Sequence, residues 1–220
     1  MIHQSMILWG LMDSPFVRRV AVALHHHGCI YERRPLSVFR DFDAMRAANP
    51  LDQAPVLTLA SGAVLTDSRA ILEWLDATHP ATSLTPASDA MLPVLQVEAV
   101  ALSVADKAVA LTGELVRRPA ALRDPEAIAR LQTQVTGALD WLEERATSAP
   151  LFGALTRADL ALGCATKYLA EKQPRRLGAR PALIRHSQWC ERQAPFAAAP
   201  YSAAEASAAG WHPEPEEERP

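Results

Sequence analysis

The sequence has few cysteines, and they lie far apart. Among 220 residues there are three, Cys29, Cys164 and Cys190, and no Cys-x-x-Cys pair occurs. An odd number at wide spacing argues against a disulfide framework. We therefore expect all three side chains to be small core or partly buried residues.

An excess of one charge sign and long apolar runs are also lacking. The formal net charge is −3 and no dense Lys/Arg run occurs, which argues against nucleic acid as a partner. No apolar stretch approaches the ~20 residues that a membrane helix needs. The N-terminus has no basic-then-apolar signal pattern. These absences predict a cytoplasmic protein without a nucleic-acid or membrane partner.

The sequence contains three consecutive histidines, His25, His26 and His27. Their side chains can bind metals, but their spacing does not suit one metal site. Consecutive residues on a helix point in different directions, so the three cannot easily share one tetrahedral site. We interpret the run as the solvated end of a helix that Gly28 terminates, and we expect no metal.

The first third of the chain alternates short strand and helix signals. Strands are predicted over residues 6–9, 31–35, 56–60 and 63–65. Helices are predicted over residues 14–27 and 68–78, and a short polar helix or irregular segment over 41–49. The order β-α-β followed by β-β-α is typical of a small α/β sheet domain, which we place at residues 1–79.

The remainder of the chain is predicted to be helical. Residues 80–90 contain Pro80 and Pro86 among small polar residues and are predicted to be a linker. An all-helical domain follows over residues 91–200, and residues 201–220 form an Ala/Ser/Pro- and Glu-rich tail predicted to be mobile. Helices are predicted over residues 91–117, 126–147, 160–172 and 181–193. Thr156 and Asp159 form a capping box, whose loss should cost about 1 kcal/mol or more.

Ser14 stands at the turn between the first predicted strand and the first predicted helix. Pro15 suits the first helical position and Ser14 suits the N-cap before it. A hydroxyl at this point faces the positive end of the helix dipole, where an anion such as a thiolate is stabilised. The alternative is a plain N-cap, which needs only the side-chain oxygen.

Four segments, taken in order, resemble motifs of the cytosolic glutathione S-transferase family. They are Ser14-Pro15-Phe16, the bacterial-type active-site motif; residues 49–57, like Asn-Pro-x-Gly-x-Val-Pro-x-Leu; Asp67-Ser68-Arg69-Ala70-Ile71; and Thr156-Arg157-Ala158-Asp159. Departures from the second motif are Asp52 for Gly, Gln53 for Lys and Ala54 for Val. The resemblance covers about residues 6–200. It implies an α/β N-terminal thioredoxin-like domain followed by an all-α helical domain, the glutathione S-transferase fold, in a homodimer.

The resemblance implies that Ser14 is the catalytic residue. Its hydroxyl would donate a hydrogen bond to the sulfur of glutathione, which acts as co-substrate without a metal. Together with the dipole of the first helix, this bond favours the thiolate over the thiol. A serine in place of the Cys of redox relatives cannot form the mixed disulfide that thiol exchange requires.

Five further residues are implied to bind glutathione: Gln53, Ala54, Pro55, Asp67 and Ser68. A cis-proline turn would free the backbone of Ala54 to pair with the tripeptide. Ser68 would hold the γ-glutamyl carboxylate and Asp67 the ammonium, while Gln53 would reach the glycyl end. Alternatively, Pro55 is a strand-edge proline and Asp67 and Ser68 are helix caps.

The sequence suggests roles for several other side chains without fixing them. Arg40 is a candidate replacement cation near the glycyl end. Arg18 and Arg19 are expected to make surface or interface contacts. The electrophile pocket should lie between the loop after the first strand and the long helix, with these candidates: Leu11, Met12, Val104, Lys107, Ala108 and Leu111.

The resemblance implies a glutathione transferase that attacks small apolar electrophiles in detoxification. Two alternatives stay open. One is a glutathione-dependent isomerase, dehalogenase or peroxidase on the same scaffold, because fold does not fix reaction. The other is a non-catalytic interaction protein that keeps the fold.

Overall fold

A four-stranded mixed sheet forms the first part of the molecule, in a computed structural model that describes residues 5–178, 180–208 and 210. Its strands are β1 (Met6–Trp9), β2 (Tyr31–Arg34), β3 (Val56–Thr58) and β4 (Val64–Thr66). The strand order is β2-β1-β3-β4. β1 is parallel to β2, and the β1–β3 and β3–β4 pairs are antiparallel.

Three helices accompany this sheet: α1 (Pro15–His26), α2 (Phe42–Ala48) and α3 (Ser68–Thr78). α1 and α3 pack against each other. α3 buries the apolar stripe at Ile71, Leu72 and Leu75 that helical spacing predicts. These side chains join Leu8 and Leu57 of the sheet in one core. The sheet domain thus holds the start of α1 and the start of α3 in fixed positions.

The second part of the described chain is helical. Its helices are α4 (Met91–Thr112), α5 (Pro125–Glu143), α6 (Arg157–Lys172), α7 (Pro174–Leu177), α8 (Pro181–Glu191), α9 (Ala194–Ala197) and α10 (Ala203–Ala208). α6 packs against α4, α8 and α1, so it joins the helical part to the sheet part. At Gly163 a Cβ would lie 2.8 Å from the Cys190 sulfur, so glycine permits the close approach of α6 to α8. The predicted fold class, a thioredoxin-like domain followed by an all-helical part, is confirmed.

The long helix differs from its predicted range of residues 91–117. α4 ends at Thr112, and Gly113–Arg117 continues as a π-helical turn. A π turn widens the helix and changes the direction of the side chains that follow it. Arg117 therefore leaves α4 on a different side from the one that a continuous α-helix would give it.

The predicted mobile tail over residues 201–220 falls partly within the described chain. There, Ala203–Ala208 form α10. The Glu205 carboxylate accepts a hydrogen bond from the Met12 N–H at 2.7 Å and pairs with Arg33 at 2.8 Å. These contacts hold α10 against the sheet domain, in place of the predicted mobile chain. Residue 209 and residues 211–220 lie outside the described residues.

Two arginines expected at the surface are buried. Arg18 is 1% exposed and Arg19 is 0% exposed. Arg18 makes a bidentate pair with Glu191, both bonds being 2.7 Å, and Arg19 pairs with Glu98 of α4. Carboxylate partners on distant helices make this burial possible, because a buried charge requires a partner. The expectation of surface contacts is therefore wrong for both residues.

The cysteines match their expected roles. Cys164 and Cys190 are buried and Cys29 is half-buried, and all three are free thiols. Among the described residues, no helix is long and apolar enough to cross a membrane.

The three histidines have separate polar partners. His25 contacts the Tyr31 hydroxyl, while His26 and His27 contact the carbonyl and the hydroxyl of Thr82. In the part of the chain that the structure describes, no group of three or more His, Cys, Asp or Glu is arranged to hold a metal ion.

Candidate functional site

One cavity of about 870 Å³ lies between the sheet domain and the helical part. Its sheet-domain wall contains all six residues that the sequence assigns to a site: Ser14, Gln53, Ala54, Pro55, Asp67 and Ser68. They come from three separate stretches of sequence, the loop after β1, the loop before β3 and the start of α3. The fold brings these three stretches together.

Ser14 is the N-cap of α1. Its hydroxyl oxygen accepts a hydrogen bond from the Val17 N–H at 3.4 Å, a long bond. A hydroxyl also has one hydrogen to donate, and the Ser14 hydroxyl donates to no other described residue. Ser14 therefore acts as a cap, and no described residue accepts its hydroxyl hydrogen.

Gly10 allows the loop that carries Ser14 to pass close to the 53–55 loop. Its φ is +121°, in the region that favours glycine. A Cβ there would lie 2.5 Å from a methyl carbon of Val17 and 2.9 Å from the Ala54 Cβ. A larger residue would push the start of α1 away from Ala54, so Gly10 helps to set the width of the site.

The Ala54–Pro55 peptide bond is cis. Asn49, which is buried, donates a hydrogen bond from Nδ2 to the Gln53 carbonyl at 2.8 Å and orders this loop. The backbone N–H and C=O of Ala54 pair with no other described residue. Asp52, which replaces the family glycine, adopts a φ of 51°. Aspartate tolerates this left-handed conformation, so the departure leaves the loop shape possible.

The start of α3 forms the polar end of the same wall. Asp67 caps the helix by accepting from the Arg69 N–H at 2.6 Å. Ser68 is buried, and its hydroxyl accepts a hydrogen bond from the Arg19 Nη1 at 3.1 Å. Burial, and then the neighbouring Arg157, lowers the pKa of Arg19 to about 9, so it remains a cation at neutral pH. A buried cation therefore lies directly behind the Ser68 hydroxyl.

The opposite wall comes from α4 and the π turn, on a different face from the one expected. The α4 residues Leu102, Ser103, Asp106, Val109 and Thr112, followed by Gly113 and Arg117, line the cavity. The candidates Val104, Ala108 and Leu111 are core residues instead, and Lys107 is paired with Asp106 outside the lining. α4 is apolar nearly all round, so its periodicity does not fix which side faces the cavity. Of the two loop candidates, Leu11 lines the cavity and Met12 does not.

Sequence reasoning missed several lining residues, and it also placed one cation wrongly. Arg40 does not line the cavity, whereas Arg117, Lys172, Tyr168 and Phe39 do. Lys172 forms an ion pair with Asp13 at 3.2 Å, and the Tyr168 hydroxyl donates to the Thr112 hydroxyl at 2.9 Å. No local motif marks these residues, because the fold alone brings their segments to the site.

The fold and this wall define a class of protein: a thioredoxin-like domain whose serine caps α1 beside a cis-proline loop, joined to a helical domain. Residues 8–83 match the family model described as the N-terminal domain of glutathione S-transferase. Residues 8–83 therefore form a glutathione S-transferase N-terminal domain, and the chain has the glutathione S-transferase fold.

Several known proteins are similar to this chain. A crystal structure of a glutathione S-transferase from Methylobacterium radiotolerans, in complex with glutathione sulfonate, is 28% identical with a TM-score of 0.84. The match covers 91% of this chain and 97% of that chain. The GST-like protein YibF of Escherichia coli (strain K12) is 28% identical, over 74% of this chain and 82% of that protein. A probable maleylacetoacetate isomerase of Vibrio cholerae is 36% identical, over 46% of this chain and 48% of that protein.

Proposed function

We infer that this chain binds glutathione in the cavity and activates its thiol for attack on a small electrophile, as a glutathione transferase. The observation that carries the proposal is the convergence of Ser14, the Ala54–Pro55 loop and the start of α3 on one cavity. The similarity to a transferase crystallised with glutathione sulfonate supports it.

Ser14 supplies the chemistry of thiol activation. A free cysteine thiol has a pKa of ~8.5, so little of it is ionised at neutral pH. A hydrogen bond from the Ser14 hydroxyl and the positive end of α1 both favour the thiolate. The thiol proton passes to solvent. The sulfur then forms a bond to the electrophilic carbon, whose leaving group departs with the bonding electron pair.

The remaining residues hold the tripeptide. The N–H and C=O of Ala54 pair with its backbone as an added strand does, and the cis Pro55 shapes that edge. Ser68 and the N-terminal amides of α3 bind the γ-glutamyl carboxylate. The Asp67 carboxylate pairs with the ammonium, and Gln53 donates to the glycyl end. The donors and acceptors of this wall therefore suit a peptide that has carboxylates at both ends.

A second candidate reaction is isomerisation, favoured by the similarity to the probable maleylacetoacetate isomerase of Vibrio cholerae. An isomerase returns glutathione unchanged, whereas a transferase consumes it. Measurement of the glutathione consumed per product formed separates the two. A protein that does not bind glutathione would instead be a non-catalytic relative.

Three wider features belong to the same proposal. We place the sheet domain at residues 1–79 and the helical domain from residue 91, because two short 3₁₀ turns, Pro80–Thr82 and Ser88–Ala90, separate α3 from α4. A homodimer is supported by the exposed apolar side chains of Met91 and Leu92 at the start of α4. The sequence composition supports a cytoplasmic location. The resemblance to glutathione transferases supports detoxification as the role.

The proposal is tested by comparing two serines that cap helices. Ser14→Ala removes the cavity hydroxyl. Ser202→Ala removes the hydroxyl that accepts from the Glu205 N–H at 3.2 Å, outside the cavity. We expect Ser14→Ala to lower kcat/KM about 10- to 100-fold, the value of a hydrogen bond to a charged group. Ser202→Ala should retain the wild-type rate. Equal rates for wild type and Ser14→Ala would show that Ser14 is a cap alone.

A further inference from the structure

Arg117 is the least expected member of the cavity wall. It ends the π-helical turn after α4, and its guanidinium carbon lies 3.4 Å from the centroid of the Phe39 ring. This stacking joins the helical part to the loop that precedes α2. Among the described residues, the guanidinium makes no hydrogen bond and no ion pair. Its N–H donors are therefore available to a ligand in the cavity.

One carboxylate and one further cation lie near Arg117. Asp13, the residue before Ser14, forms its ion pair with Lys172, whose side chain is 3% exposed. Asp13 attracts Arg117 as well, and Arg117 in turn lowers the pKa of Lys172 by repulsion, after the larger effect of burial. Asp13 thus lies near both cations, and Glu171 also attracts Lys172.

The acidic side chain of the α4 wall has another partner. Asp106 lines the cavity, but it is 67% exposed and paired with Lys107 at 3.1 Å. Asp67, on the opposite wall, is engaged in capping α3. Asp52 also lines the cavity, and among the described residues none of these three carboxylates forms an ion pair with Arg117.

The guanidinium of Arg117, close over the Phe39 ring, has N–H donors along its edge that can bind a planar acceptor. Carboxylates match that edge with two parallel hydrogen bonds, which gives orientation as well as affinity. Burial lowers the pKa of Arg117, but an arginine keeps its charge at neutral pH. The apolar part of a ligand would contact Leu11, Phe16, Leu102 and Val109.

We propose that the electrophile accepted by this cavity carries a carboxylate, which Arg117 binds through its guanidinium edge. The assignment of that ligand as an electrophile rests on the proposed transferase function. It narrows the expected substrate class from apolar electrophiles to apolar electrophiles with one anionic group.

The test uses two aryl halides, a chlorodinitrobenzoate and its methyl ester. Because the ester group activates the ring more strongly than the carboxylate does, each kcat/KM is divided by the uncatalysed rate constant of the same halide with glutathione. In each reaction the glutathione sulfur bonds to the ring carbon, chloride leaves with the bonding electrons and the thiol proton passes to the buffer. We compare wild type with Arg117→Gln and Arg118→Gln. Arg118 is the matched control because it lies outside the lining and pairs with Glu114 at 2.6 Å.

After this division, wild type should show a higher kcat/KM for the acid than for the ester. Arg117→Gln should lower the acid-to-ester ratio about tenfold or more, as expected for a lost charged hydrogen bond. Arg118→Gln should keep the wild-type ratio. An unchanged ratio in Arg117→Gln, or an equal fall in both variants, would overturn the proposal.

A binding measurement without glutathione separates this inference from the transferase proposal. Calorimetry with unreactive dinitrobenzoate and its methyl ester should show tighter binding of the acid by wild type and Arg118→Gln than by Arg117→Gln. If that difference holds while neither halide is turned over, the transferase function fails and the anion site stands. If acid and ester bind alike, the anion site is wrong even in an active transferase.

Discussion

Arg19 donates a hydrogen bond from Nη1 to the hydroxyl oxygen of Ser68 over 3.1 Å, and both side chains are buried. This bond occupies an acceptor site of the hydroxyl, so its hydrogen is directed to another partner. Within the described chain, the Ser68 hydroxyl donates to no acceptor, and Ser68 lines the cavity. We therefore propose that Arg19 is a positioning residue, which orients the Ser68 hydroxyl towards the γ-glutamyl carboxylate of the proposed ligand.

Removal of Arg19 should destabilise the fold, because Glu98 would lose one of its two buried cations. Arg157 approaches the other Glu98 oxygen at 2.7 Å. We expect Arg19→Ala to lower the free energy of unfolding by about 3–5 kcal/mol, as when one partner of a buried pair is removed. Urea denaturation measures this. Arg130→Ala, at an exposed position of α5, should change it by about 0.5 kcal/mol at most. Equal effects of the two variants would show that the buried pair adds nothing.

Asp159 should contribute far more than an ordinary helix cap. Its carboxylate accepts from the N–H and hydroxyl of Thr156, from the Leu151 N–H and from His186, all within 3.0 Å. We expect Asp159→Ala to cost roughly 3–5 kcal/mol of unfolding free energy, because several buried groups lose their partner. Asp124→Ala removes the exposed cap of α5 and should cost about 1 kcal/mol.

The comparison is made by denaturant unfolding of both variants under the same conditions. A cost near 1 kcal/mol for Asp159→Ala would show that Asp159 contributes no more than the helix cap that the sequence predicts.

The thiols should resist alkylation in the folded protein. Burial raises the pKa of Cys164 to about 11 and also raises the pKa values of Cys29 and Cys190, so each thiolate is scarcer at neutral pH than that of an ordinary cysteine. Iodoacetamide at neutral pH should therefore modify Cys164 and Cys190 only after unfolding. Mass spectrometry of native and urea-treated samples measures this. Rapid labelling of Cys164 in the native protein would contradict the packing of α6 against α8.

Attachment of α10 should weaken in acid. Partial burial raises the pKa of Glu205, but hydrogen bonds from Arg33 and the Met12 N–H outweigh it and hold the net value below 4.5. Because the pKa of Glu205 is lower in the folded protein than in the unfolded one, the ionised carboxylate stabilises the fold above pH 4.5. This stabilisation is lost as the pH falls through the pKa of the folded state. Glu205→Gln should therefore be less stable than wild type at pH 7, and the difference should vanish below that folded value. Thermal unfolding of both proteins across this range measures it. A difference that is independent of pH would disprove the charged contact.

Local patterns predicted much of the fold. Residues 6–9 and 68–78 were assigned to a strand and a helix, and the structure has β1 at Met6–Trp9 and α3 at Ser68–Thr78. A short apolar run or a helical stripe next to a cap residue is a signal contained within a few residues. The ends of α5 and the π turn were not predicted, because helix ends depend on packing with distant segments.

The features of the site that the sequence did not predict depend on residues that are far apart in the chain. Arg18 and Arg19 looked like surface residues, yet their carboxylates lie 173 and 79 residues along the chain, on α8 and α4. Arg117 and Lys172 reach the cavity from a π turn and from the end of α6, without a motif. The six assigned residues could be found because each lies in a short motif of the family that the chain resembles.

Activation of the thiol by Ser14 is tested most directly by a pH titration of glutathione bound to wild type and to Ser14→Ala. The ultraviolet absorbance of the thiolate monitors the titration. We expect the pKa of the bound thiol to lie below ~8.5 in wild type and to rise in Ser14→Ala, while the Ser202→Ala protein follows wild type. Identical titration curves for wild type and Ser14→Ala, or no thiolate signal with bound glutathione, would contradict the assignment of Ser14 as the residue that activates the thiol.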